Sequence, residues 1–296
     1  LSLEIRTYRR RKLANLLASA AALSCVVLAL IPLVSILVEV AIKGYGALSW
    51  GFIFNPIIPG GGIGNAILGT LQLVFYASLI GLPVGILTGI YVSEFGDNVF
   101  GRTIRFFNDV LANFPSIIIG LLAYSLFITY FGFSILLGAI ALSIIMIPIV
   151  ANTTEEALRM VPNSLREASL ALGVPRWKTV LKVMISNGKA GVVTGALLAI
   201  ARITGETAPI LVTARYSYYW ALSPSDPTAS LPVAIWFNAL DQSATAQQQA
   251  WGAALVLIVL VLSLNIVVRL LTRRNRFSNS NQMVKKSWLR KSKQSA

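Results

Sequence analysis

Residues 134–183 read SILLGAIALSIIMIPIVANTTEEALRMVPNSLREASLALGVPRWKTVLKV. The part through Val150 carries no charge, whereas the loop at 153–189 holds Arg159, Arg166, Arg176, Lys178, Lys182 and Lys189. An apolar helix of about 20 residues crosses the roughly 30 Å hydrocarbon layer of a bilayer. Loops that stay in the cytoplasm are enriched in Lys and Arg. The stretch therefore predicts a membrane helix that delivers the chain into a basic cytoplasmic loop.

Working outward, the same reading finds apolar runs at 13–38, 66–92, 106–131, 190–214 and 250–271. With 134–150 they predict an all-α polytopic membrane protein with six transmembrane helices, a membrane body at 13–271. Asp109, Asn113 and Pro115 make the start of the third run polar, and only Gly132 and Phe133 separate it from the fourth, which implies a tight hairpin. The basic run before residue 13 resembles the start of a signal peptide, but the apolar stretch after it is too long for one, so a retained helix is expected. With both termini cytoplasmic, 22 of the 25 basic residues fall on one side. They lie in a basic tail at 1–12, at Arg102 and Arg105, in the 153–189 loop, and from Arg269 onward. The opposite side has Lys43 and Arg215, and Arg202 lies within a span. The tail at 272–296, rich in Ser, Asn, Gln and Lys, is expected to be disordered beside anionic lipid.

Composition agrees with that architecture and excludes several activities. Of 296 residues, 56% are hydrophobic and 12% charged, with a mean hydropathy of +0.73. A net charge of +14 would suggest nucleic acid in a soluble protein, but here the basic residues flank apolar runs and form no stripe. There is no histidine and a single cysteine, Cys25, inside an apolar run. Histidine bases, catalytic triads, disulfides and cysteine metal clusters are therefore excluded, and no catalytic residue, metal or cofactor is expected. The string G-x-x-x-x-G-K-[ST] is absent, so any ATP must be hydrolysed by another chain. Two outer segments, 39–65 with Pro56, Pro59 and Gly60-Gly61-Gly62, and 216–249 with Tyr218, Tyr219, Trp220 and Trp236, suit turns and the membrane interface.

Two groups of residues stand out. Within 153–189 the pattern predicts two short helices parted by Pro162 and ending at Gly173. Leu165, Ala168 and Leu172 share one face, with Arg166, Glu167 and Ser169 elsewhere. Such a helix docks into a groove of a soluble protein or lies on headgroups, and pattern alone leaves both open. In the fifth run Arg202 and Glu206 are four apart, on one helical face. An ionisable residue at that depth costs about 2.5–3.5 kcal/mol, so it is paired or faces water. A purely structural ion pair and a pathway-lining pair both satisfy this. Gly81-x3-Gly85-x3-Gly89 and Gly191-x3-Gly195 predict close helix packing, within the chain or against another subunit.

Glu167-Ala168-Ser169, three residues and then Gly173 resemble the EAA motif of bacterial ABC importer permeases. Ser169 stands where a second alanine is usual, and Ile185-Ser186 where Leu-Pro is usual. Three further strings resemble the PstA branch of phosphate permeases: G-x-x-N-A-I-x-G-T-L at 62–71, P-S-I-I-I-G-L at 115–121 and G-E-T-A-P-I-L at 205–211. The resemblance implies a type I ABC importer permease fold in the bacterial inner membrane. It implies that Leu165, Glu167, Ala168, Ser169, Leu172 and Gly173 belong to a coupling helix facing a cytoplasmic ATP-binding subunit. By position, Arg202 and Glu206 match the intramembrane Arg and Glu implicated in phosphate passage, with Thr207 and Asn113 as further polar groups for the ion. The implied partners are a homologous second permease (PstC type), two ATP-binding subunits (PstB type) and a periplasmic phosphate-binding protein (PstS type), with no nucleic acid. A permease for molybdate or sulfate would share the EAA loop. An ion-coupled secondary transporter would need inverted repeats, which are not evident.

Overall fold

A computed structural model describes the backbone of residues 2–58 and 61–294, and the side chains of 11–58, 61–267, 269 and 270. Pro59 and Gly60 of the expected outer turn lie outside the described residues, as do the side chains of Arg6, Arg9, Arg10 and the tail at 272–296. Among the described residues all regular structure is helical. The long elements are α1 (Ser2–Tyr45), α3 (Gly64–Phe95), α6 (Ile135–Arg159) and α12 (Ala244–Gln294). A composite helix adds α8 (Arg176–Thr179), a π-helical turn at Val180–Met184, and α9 (Ile185–Thr204). Short elements join them: α2 (Trp50–Phe54), α4 (Val99–Asn113), α5 (Ser116–Phe131), α7 (Asn163–Ala171), α10 (Ala208–Thr213) and α11 (Leu231–Leu240). Five helices are long and apolar enough to cross a membrane, or six if α4 and α5 count as one bent span.

Four expectations are corrected. The third run is not one helix: α4 and α5 meet at 109° across Phe114 and Pro115. Phe114 is extended (φ −70°, ψ 138°), the conformation that a following proline imposes. The fifth run is interrupted too, because α9 ends at Thr204 and the chain resumes helix only at Ala208. Pro209 has no N–H for the carbonyl of Gly205, and its ring would collide with that turn. Residues 153–159 are the last turns of α6 and form no separate helix. The ends of the chain are also helical. The basic tail at 1–12 belongs to α1, and the helix from Ala244 runs to Gln294 through the segment expected to lack structure. Neither Gly nor Pro occurs before Pro32 or after Gly252 to stop those helices.

Small residues set the packing. A Cβ added to Gly81 would lie 3.0 Å from Met146 Sδ, one on Gly85 2.7 Å from Val150 Cβ, and one on Gly89 2.5 Å from Ala151 O. The matching order along both chains means that α3 and α6 run parallel, backbone close to backbone. On the other flank of α6, α9 runs antiparallel: Gly188 and Gly191 face Ala157, and Gly195 faces Thr153. Both small-residue patterns are thus seams inside this chain. Leu73, Ala77, Leu142, Met146, Ala199 and Ile203 fill the core between these three helices. By contrast α1 meets the body chiefly at α12, around Gly44 and Trp251, and its apolar length is almost entirely exposed.

Candidate functional site

Contacts along α6 fix the depth of the residues on its neighbours. The antiparallel register of α9 continues past the break, where Ser134 N donates to Thr213 O at 3.3 Å. In that register Arg202 lies level with about Met146, roughly 17–20 Å from either end of α6 at 1.5 Å per residue. The guanidinium is therefore at mid-depth in the bundle. Its side chain is 53% exposed and shares an open stripe with Asn187, Thr194, Leu198 and Gly205, while Ala199 and Ile203 point into the core.

Arg202 and Glu206 are brought together, though not as two residues of one helix. Glu206 follows the end of α9, its N–H donating to Ile203 O at 3.3 Å, and its side chain is 14% exposed. Arg202 Nη2 lies 3.5 Å from Glu206 Oε1. A charge-assisted N–H···O bond is about 2.7–2.9 Å, so this is a loose pair. Among the described residues the guanidinium makes no hydrogen bond, and its five donors remain available. Thr207 is the next residue and stands at the start of α10, half-buried, with no side-chain hydrogen bond among the described residues. Asn113 is not joined to this group: its Nδ2 donates to Asp109 O at 2.7 Å on its own helix. The two interrupted helices do meet, since a Cβ on Gly120 of α5 would lie 2.6 Å from Pro209 Cα.

Four arginines at the basic end of the bundle are bound. Arg105 donates Nε to Glu155 Oε1 at 2.8 Å, Nη1 to Gly96 O at 3.1 Å and Nη2 to Val92 O at 2.8 Å. Arg159 reaches the same Glu155 oxygen at 2.8 Å. Arg166 Nη2 donates to Glu94 Oε1 at 2.7 Å, and Arg176 Nη2 to Glu94 O at 2.5 Å with its guanidinium over the Phe95 ring. Glu94 has a side chain only 1% exposed in the last turn of α3. A carboxylate there opposes the helix dipole and needs cations, a signal in the sequence that went unread.

Within α7 the two faces are sorted. Leu165, Glu167, Ala168 and Leu172 are exposed, Leu172 at 83%. Ser169 is buried, its hydroxyl 2.9 Å from Thr179 Oγ1, and Val174 N donates to Ser169 O at 3.2 Å. Ser169 therefore holds α7 against α8 and faces inward, and Arg166 shares that side. Gly173 closes the helix at φ +76°, where a side chain would be strained. The exposed apolar side chains are the ones whose spacing predicted a docking face.

Known proteins resemble this arrangement at two levels. Among solved structures, the inward-facing MetNI methionine ABC transporter aligns with a TM-score of 0.57 at 19% identity, covering 76% of this chain and 98% of that one. That likeness concerns the fold. The phosphate transport system permease protein PstA of Xylella fastidiosa (strain Temecula1) is 41% identical over 282 residues, which is 92% of this chain and 97% of that protein. The Yersinia pestis PstA is 38% identical over 278 residues, and the Mycobacterium tuberculosis PstA 1 is 38% identical over 281. Residues 81–277, from the glycine seam of α3 through the interrupted α9 and into α12, match the family described as binding-protein-dependent transport system inner membrane component. The glycine seam, α7 and the mid-depth arginine all fall within the matched residues, and the chain belongs to that family of inner-membrane transport components, in its PstA phosphate-permease branch.

Proposed function

We propose that the chain is the membrane permease subunit of an ATP-driven importer of inorganic phosphate. The relatives named for phosphate transport support the substrate, and Arg202 supports the place where it passes. The carrying observation is a mid-depth guanidinium whose fork of donors is unspent. Arginine presents planar paired N–H groups that fit the oxygens of an oxyanion, and it stays charged at any relevant pH. Glu206 holds the side chain loosely until the ion arrives, and Thr207 adds a hydroxyl beside it. Asn113, in a neighbouring element, is a second polar group for the ion on the same route.

The subunit hydrolyses nothing itself. The exposed face of α7, with Leu165, Glu167, Ala168 and Leu172, meets a cytoplasmic ATP-binding subunit of PstB type, one of two, and Gly173 lets the chain turn back sharply. Ser169 supports that face from behind. A PstC-type permease completes the pathway by covering the stripe that carries Arg202, and a PstS-type periplasmic protein delivers phosphate. In this arrangement both termini and the basic end of the bundle are cytoplasmic.

Replacing Arg202 by Gln is expected to lower phosphate uptake by roughly 10- to 150-fold, the equivalent of the about 1.5–3 kcal/mol of a hydrogen bond to a charged group. The complex should still assemble. Radioactive phosphate uptake by vesicles, with and without excess molybdate or sulfate, measures this. Uptake at the unmodified rate in Arg202→Gln sinks the assignment, and competition by molybdate or sulfate in place of phosphate moves it to another oxyanion.

A further inference from the structure

A push on α7 has to reach the membrane helices by some route, and the covalent one is compliant. Pro162 precedes the helix and Gly173, at φ +76°, follows it, so both connections are turns. The firm route runs through side chains. Arg166 leaves the inward side of α7 and meets Glu94, whose carboxylate is enclosed in the last turn of α3. Arg176 binds the carbonyl of the same Glu94, and Arg105 binds the carbonyls of Val92 and Gly96 on either side of it. Three elements thereby grip one helix end. Directly above that grip lies the Gly81, Gly85 and Gly89 seam, where α3 and α6 touch too closely to slide independently.

We propose that the Glu94–Arg166 ion pair is the positioning link through which displacement of α7 is passed to the joined α3 and α6. The inference rests on the reading of α7 as the face that meets the ATP-binding subunit. Arg166 belongs to the inward side, so its task is transmission and not docking. An enclosed carboxylate with a single side-chain cation resists separation, because parting them strands a charge away from water. Pulling on one therefore moves the other.

The test uses the complete complex, purified with its ATP-binding and second permease subunits and reconstituted in liposomes with the binding protein. Glu94→Gln and Arg166→Gln are each expected to lower phosphate uptake by about 5- to 150-fold, the range of a lost coupling free energy. ATP hydrolysis and the amount of ATP-binding subunit retained should stay near the unmodified level, and Arg166→Lys should recover uptake by keeping the charge. Should Glu94→Gln fail to assemble, Arg166→Gln, which alters the half-exposed partner, decides in the same way. Unimpaired uptake in the Gln variants overturns the proposal, and so does loss of the ATP-binding subunit in step with uptake, which is what a merely structural role would give. Leu172→Asp separates this from the underlying reading. If Leu172→Asp leaves both the ATP-binding subunit and uptake intact, α7 is not the docking element and the foundation fails. If it releases the subunit while the Gln variants transport normally, only the link is wrong.

Discussion

At the scale of single residues, the arginines divide by what their donors do. Arg105, Arg159, Arg166 and Arg176 each spend donors on carboxylates or carbonyls at 2.5–3.1 Å, whereas Arg202 has one carboxylate at 3.5 Å. The first set ties elements of the protein to one another, and the donors of Arg202 make no hydrogen bond among the described residues. Tyr216 is a different kind of special residue. Its ring tilts against Phe237 and meets Tyr218 edge-on, with ring centroids 4.7 and 5.1 Å away, and so ties the segment after α10 to α11. Burial, with a lesser contribution from Tyr218, pushes its phenol from 10.0 up to about 12. The folded chain keeps that proton while the unfolded chain releases it near pH 10. Stability from this site is therefore intact below pH 10 and is lost as the pH rises from 10 to about 12. Thermal unfolding followed across that window should show a steeper fall for the unmodified protein than for Tyr216→Phe; equal slopes would contradict it. Arg202 and Glu206 were legible in the sequence because two charges in an apolar run are conspicuous. The partner of Glu94 was not, since Arg166 lies 72 residues away and no local pattern joins them.

At the scale of elements, most helices were legible as apolar runs, and their ends were the part that differed. Helices run past the hydrocarbon-length segment wherever nothing stops them, as α1, α3, α6 and α12 do. Prolines were the harder matter. Pro32, Pro83 and Pro148 sit inside unbroken helices, whereas Pro115 and Pro209 accompany breaks. The difference lies in the company they keep: Asp109 and Asn113 precede one break, and Gly205, Glu206 and Thr207 form the other. Polar groups beside a break can satisfy the backbone groups that the break frees. The seam between α3 and α6 offers a sharper test. Gly85→Val puts three carbons where a single Cβ already lies 2.7 Å from Val150, and overpacking of this kind costs about 1–3 kcal/mol. A lower melting temperature of the purified complex is expected, with partial recovery when Val150→Ala is added. No change in melting would mean that the seam is looser than described.

For the whole molecule, two surfaces stand open. The apolar length of α1 is exposed from Leu13 to Val38, and the α9 stripe containing Arg202 is open. Exposure of α1 suits lipid, but exposure of an arginine at mid-depth suits only water or a protein cover. Orientation follows from charge: the end that holds Arg105, Arg159, Arg166 and Arg176 is expected in the cytoplasm. With Cys25→Ala removing the lone thiol, Asp97→Cys should react with an impermeant maleimide only from the cytoplasmic face, and Leu222→Cys, exposed at 86%, only from the other. Labelling of both from the same face would contradict the topology. The loose pairing of Arg202 with Glu206 finally bears on how long cargo stays. Under the proposed role, a phosphate ion joining that pair would bring more negative charge than the guanidinium alone can offset, so the loaded station would repel its occupant as well as attract it. Such a balance favours hand-over rather than retention, which is what a conduit needs and a storage protein avoids.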